Sequence, residues 1–191
     1  MTTRRLLLSA TLAAPATWLM AGGPAGGQLA ATPSCGDDDE PTPRQTEGPY
    51  FRPSSPERAN LRDPAVPGRP FVVSGLVLTT ACVPVAGAIV DLWHCDGEGH
   101  YDNRGFLCRG HQLTDAEGRW QFETVRPGVY PGRTRHFHLK AYAPGGRPLT
   151  TQLYFPGEPG NARDGIWRPE LEMALDAAGM AGRFDLVLAP A

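Results

Sequence analysis

Apolar and polar residues alternate along much of the chain after residue 70, with the two-residue period of half-buried strands. Phe71–Leu78 is β-branched and apolar, and the turn-like stretch Ala81–Gly87 leads into a partner at Ala88–Trp93. The Asp115–Gly118 turn introduces Trp120–Val125, and His136–Tyr142, Leu149–Phe155 and Phe184–Leu188 complete the set. Only Arg168–Ala178 has room for one short helix, with Pro169 acceptable in its first turn. Short strands at regular spacing between Gly- and Pro-bearing turns predict an all-β fold, an antiparallel β-sandwich with long loops.

Composition narrows this further. Gly 23 and Pro 20 together exceed a fifth of 191 residues, too many breakers for a helical bundle, and no Gly-X-Y period exists. Hydrophobic residues at 41% suffice for a packed core. Lys+Arg 18 against Asp+Glu 20 gives −2, with no excess of base for a nucleic-acid backbone. No apolar run reaches the ~20 residues that span a bilayer.

The chain opens with Met1–Arg5, which holds Arg4-Arg5, followed by the short apolar run Leu6–Met20. A basic start before a short apolar stretch predicts a secretory signal over residues 1–30, cut within Ala21–Gly27 or near Ala30-Ala31. Arg4-Arg5 before Leu6-Leu7-Leu8 resembles a bacterial twin-arginine leader, the alternative being an ordinary secretory signal with two arginines. The expected destination is periplasmic or extracellular, with no membrane attachment after cleavage. Residues 31–45 read as a flexible linker whose Asp37–Glu40 cluster is a solvated charge run, and residues 46–191 as one domain. Cysteines stand at 35, 82, 95 and 108 without a C-x-x-C pair, so zinc-ribbon spacing is absent. Export permits disulfides. Cys95 with Cys108, which flank one loop, is the favoured pair, against the alternative of four unbridged thiols.

The candidate chemistry lies between Tyr101 and His138. His136-x-His138 on a strand puts both imidazoles on one face, able to grip one metal ion. The alternative is two polar side chains on a solvent-facing stripe, and the turn Tyr130-Pro131-Gly132-Arg133 just before them argues against it.

Several segments stand in one order: Thr46-Glu47-Gly48-Pro49-Tyr50-Phe51, Pro84 to Asp96, Gly99-His100-Tyr101, Thr114 to Phe122, Pro127 to Pro131, Arg133, His136-Phe137-His138 and Thr151 to Gly157. In them the chain resembles the intradiol ring-cleavage dioxygenases, which open catechols between the two hydroxylated carbons. The resemblance implies a prealbumin- or immunoglobulin-like sandwich and one Fe(III) per chain, held by Tyr101, Tyr130, His136 and His138. It implies that Tyr130 leaves the metal when catecholate binds and serves as a base while Tyr101 stays. Arg133 would stabilise charge developing on a ring carbon, Gln152 would offer a hydrogen bond beside it, and Pro49 and Tyr50 would line the pocket. The implied partners are a small aromatic diol and O2, and the product a muconate-type diacid. No nicotinamide or flavin fingerprint is present. The helical dimerisation segment of the catechol-cleaving branch is missing, which leaves oligomeric state open. His94, His100 and His111 fall on no ligand position. The competing expectation is a transthyretin-like or carboxypeptidase-regulatory-like sandwich that binds without catalysis.

Replacing both Arg4 and Arg5 with Lys is expected to leave the protein in the cytoplasm, read by fractionation of producing cells.

Overall fold

A computed structural model describes residues 40–189. The expected leader, Cys35 and Asp37–Asp39 lie outside the described residues. Nine strands form two facing sheets: β1 (Pro70–Thr79), β2 (Ile89–Trp93), β3 (Arg109–Leu113), β4 (Arg119–Val125), β5 (His136–Tyr142), β6 (Leu149–Tyr154), β7 (Ala174–Leu175), β8 (Ala181–Arg183) and β9 (Leu186–Leu188). One sheet runs β4-β1-β8-β7 with β9 also on β1, and the other runs β3-β2-β5-β6. The expected β-sandwich is therefore present, antiparallel except where β8 and β9 join β1 in parallel. Between the sheets Phe71, Val73, Val77, Trp120 and Phe122 meet Val90, Leu92, Phe137, Leu139 and Leu153, all buried.

Three expectations change. The helix within Arg168–Ala178 is a single 3-10 turn, Pro169–Leu171, with Pro169 in its first turn. It stops there because the following residues pair instead: Met173 N–H donates to Tyr154 O and Ala174–Leu175 become β7. No disulfide joins Cys95 and Cys108; both are buried free thiols. Cys95 Sγ lies 3.6 Å from the Gly128 carbonyl, Cys108 packs with Val66 and Val125, and burial pushes their thiols up to about 11 and about 12. Cys82 is the disulfide-bonded cysteine. Finally, packed structure reaches into the stretch expected as linker, because Thr42 exchanges two hydrogen bonds with Val187 and Gln45 N–H donates to Thr150 O. Strands β3, β7 and β8 escape sequence reading because they are short or polar and take their shape from the strands beside them.

Two extended segments finish the sandwich. Residues 56–61 run along β3 and β4, exchanging backbone hydrogen bonds with His111 and Glu123, which covers one edge of each sheet. Residues 42–51 run from β9 past the edge strand β6 and, from Thr46 on, over the outer face of the second sheet.

Strand β1 changes partner at Gly75: residues 72–74 pair with β8 and residues 77–79 with β9. The chain crosses there so closely that a Cβ at Gly75 would lie 1.7 Å from the Phe184 carbonyl oxygen, and Asp185 accepts the Leu76 N–H at 2.9 Å. Gly75→Ala is expected to cost about 3 kcal/mol, seen as a fall of roughly 10 °C in thermal midpoint.

Candidate metal and substrate site

The site begins with strand register. Arg109, Trp93, His138 and Gln152 are successive partners across β3, β2, β5 and β6, and His136 is paired with Tyr154. The period of two aims these side chains outward, while Phe137 and Leu139 face the core. The outward face is nonetheless dry: His136, His138 and Gln152 are all buried. Residues 42–51 roof it. Gln152 Nε2 donates to Thr46 O at 3.1 Å, Gly48 sits against His138 with φ +72°, and Phe51 packs on Trp93. A Cβ at Gly48 would approach His138 Cε1 to 3.3 Å, so this closeness depends on glycine.

Within the row each ring is oriented. His136 Nδ1 lies 2.6 Å from the Thr134 carbonyl, which can only accept, so that nitrogen carries the proton and Nε2 presents its lone pair. Trp93 stacks on His138 with ring centres 5.0 Å apart. The two Nε2 atoms approach to 3.1 Å.

Two loops bring tyrosines to this edge. Tyr101 follows β2, Tyr130 precedes β5, and their rings meet edge to face at 5.9 Å. Tyr101 is 6.3 Å from the His138 ring. The loops converge at glycines: a Cβ on Gly128 would lie 2.3 Å from Gly99 N, and one on Gly99 would lie 2.4 Å from Val129 O. Tyr50, delivered by the roof, stacks on Tyr101 at 4.2 Å and meets Tyr130 edge-on at 5.7 Å. The third group is Arg133. Its Nε donates to Asp164 Oδ2 at 2.9 Å and its Nη2 to Gln152 Oε1 at 2.5 Å. Thus Tyr101, Tyr130, His136, His138, Arg133 and Gln152 gather at one end of one sheet.

Electrostatics indicate what this cluster can hold. Burial, reinforced by nearby Arg133, lowers His136 to about 4, and burial with the neighbouring His136 and Arg133 holds His138 well below the usual range. Both imidazoles are neutral donors at pH 7. The Tyr101 hydroxyl is buried without a hydrogen-bond partner, and burial pushes its phenol well above 10. An unpartnered buried hydroxyl is costly. Neutral imidazole nitrogens beside phenol oxygens make a donor set suited to a hard, highly charged cation, which would satisfy that oxygen.

A family model described as Dioxygenase matches residues 46–190. The dioxygenase domain of a dioxygenase carbohydrate-binding protein fusion from Streptomyces sp. SirexAA-E superposes with TM-score 0.76 at 52% identity, covering 80% of this chain and all of that one. An intradiol ring-cleavage dioxygenase from Tetranychus urticae gives TM-score 0.71 at 26% identity, covering 79% and 95%. The chain belongs to the intradiol ring-cleavage dioxygenase family. The protocatechuate 3,4-dioxygenase beta chain of Burkholderia cepacia is 35% identical over 137 residues, 62% of this chain and 57% of that relative. The chain thus spans little more than half the length of that curated relative.

The family match places the chain among the dioxygenases and not among the transthyretin-like or carboxypeptidase-regulatory-like sandwiches. Sequence reasoning missed four residues that pack into this cluster. Trp93 was readable, because strand pairing of Ala88–Trp93 with His136–Tyr142 would place it beside His138. Tyr154 was equally readable, two residues past Gln152 on the same face; its hydroxyl donates to Gln45 Oε1 at 2.7 Å. Asp164 and Arg109 had no such signal, since Asp164 reaches the site only through loop packing and Arg109 only because the short polar strand β3 pairs with β2. Of the remaining histidines, His100 is largely exposed beside Asp96. His111 meets Ser55 at 3.1 Å. His94 is enclosed between Cys95 O and Thr124 Oγ1.

Burial lowers His94 to about 4 as well. Unfolded imidazoles take up protons near 6.5 while these folded ones resist to about 4, so the unfolded state binds more protons between those values and stability falls as pH drops. The metal-free protein is expected to lose up to about 1.4 kcal/mol per pH unit for each such histidine, measured by urea unfolding from pH 7 to pH 4. His94→Gln should flatten that slope.

Proposed function

We propose that this chain is a ferric dioxygenase that cleaves a small catechol between its hydroxylated carbons, incorporating O2 and giving a muconate-type diacid. The observation that carries this is the pair of buried, neutral imidazoles with Nε2 atoms 3.1 Å apart beside the unpartnered Tyr101 hydroxyl. His136, His138, Tyr101 and Tyr130 would hold the ion, one per chain. Phenolate donors favour Fe(III), and two of them with hydroxide balance its charge in a poorly solvated pocket. When bound, Fe(III) supplies a Lewis-acid site for both catechol oxygens and makes the ring reactive towards O2.

The protein's own residues do the rest. Tyr130, half-buried on its loop, would as a phenolate accept a catechol proton at Oη, while Tyr101, stacked beneath Tyr50, would keep its place. Arg133 is anchored on Asp164 and Gln152 so that its charge faces the ring carbon where electron density builds, with no reorganisation at the moment of reaction. Gln152 cannot turn, because Thr46 O and Arg133 take opposite ends of its amide. Tyr50 and Pro49 close the pocket against water. The Arg4-Arg5 leader supports action outside the cytoplasm.

Purified protein should contain about one iron per chain, show visible tyrosinate-to-iron colour, and consume O2 with catechol. Tyr130→Phe should retain part of its iron but lose at least about 100-fold in turnover. His138→Ala should lose both iron and colour. Arg133→Ala should keep both yet lose activity. Full activity in Tyr130→Phe and His138→Ala would refute the assignment.

A further inference from the structure

Arg109 is almost wholly enclosed, with 1% of its surface exposed, yet no carboxylate lies within ion-pair distance of it among the described residues. Its Nε has no partner. A buried guanidinium with no carboxylate in contact, compensated only at longer range by Asp102, is an expensive choice for the first position of a strand, where an apolar residue would pack at no such cost. What it touches explains the choice. Nη1 donates to the Tyr50 carbonyl at 2.6 Å, and Nη2 donates to the Asp102 carbonyl at 3.0 Å. Those carbonyls belong to two separate segments, the roof and the Tyr101 loop, whose aromatic rings stack at 4.2 Å. The guanidinium carbon lies 6.0 Å from the Tyr101 ring centre.

The surroundings hold this fork in place. Arg58 donates through Nε and Nη2 to the Arg109 carbonyl at 3.1 and 3.0 Å. Arg52, two residues beyond Tyr50, donates to Gly105 O at 2.9 Å. Asp102 in turn gathers the N–H groups of Arg104, Gly105 and Leu107. Roof and loop are therefore joined by arginine-to-carbonyl bonds, and Arg109 is the member that reaches both beside the reacting edge.

We infer that Arg109 is a positioning residue that clamps the Tyr50 roof to the Tyr101 loop and so sets one wall of the catechol pocket. The pocket part of this rests on the proposed ring-cleaving function; the clamp itself does not. A planar fork with two donors is required, because one ammonium cannot serve two carbonyls on different segments in the same way.

The test compares the full chain with Arg109→Lys and Arg109→Met by hydrogen exchange and by steady-state kinetics with catechol. Both variants should exchange about tenfold faster over residues 46–52 and 100–107 together, with β1, β2, β4 and β5 little changed. Both should raise KM for catechol about tenfold while kcat changes much less, as expected when binding geometry is loosened. Lysine should not rescue. Unchanged exchange in either segment with ring cleavage intact would overturn the clamp. So would equal acceleration throughout the sandwich, or failure of both variants to fold, since either would make Arg109 a general structural residue. Coupled exchange in a protein that never cleaves catechol would instead overturn the proposed function and leave the clamp standing.

Discussion

Strand β5 is dry on both faces from His136 to Leu139, and the rest of the site depends on that. Phe137 and Leu139 point into the sandwich as ordinary core residues. His136 and His138 point the other way, where an uncovered sheet would leave them in water. The roof of residues 42–51 removes that water and is fastened at intervals, by Thr42 on β9, by Gln45 and Thr46 on β6, and by the Tyr50 carbonyl on Arg109. Desolvation keeps both imidazoles neutral, which is the form that can donate a lone pair.

The same dryness sets the tension in the site. Buried polar atoms need partners, and most here have them: His136 Nδ1 with Thr134, Gln152 with Thr46 and Arg133, Arg133 with Asp164. Four of the five exceptions among the described residues, Trp93 Nε1 among them, lie along the candidate site, and Arg126 Nε is the fifth. Tyr101 Oη and His138 Nδ1 are buried without partners, and so is Nε of Arg109 behind the Tyr50 and Tyr101 stack. The fold tolerates these because the surrounding register, the glycine contacts between loops and the arginine-to-carbonyl bonds leave the side chains no other place to go.

Asp164 shows how a distant segment sets the electrostatics. Burial would raise its carboxyl, but N–H groups of Thr134 and Ile166 together with Arg133 bring it below the usual carboxylate range. It remains an anion at neutral pH, so Arg133 is held as an aimed cation rather than a mobile one.

Much of this was legible along the chain. Alternation marked six of the nine strands, and His136-x-His138 placed two nitrogens on one face because side chains in a strand repeat every second residue. The ordered motifs from Thr46 to Gly157 named the tyrosines and Arg133 by resemblance. Short polar strands such as Arg109–Leu113 were not legible, since neighbouring strands rather than their own propensity make them extended. Nor was the fate of the thiols: Cys95 and Cys108 flank one loop, yet their side chains turn to Gly128 and to Val66 with Val125. The sequence by itself determined which residues can share a strand face and which carry lone pairs, because covalent geometry and side-chain chemistry are local. Only the tertiary structure decided that this face is roofed, that Gly99 meets Gly128, and that Arg109 and Asp164 reach the site, because those contacts join segments tens of residues apart whose meeting depends on the packing of the whole sandwich.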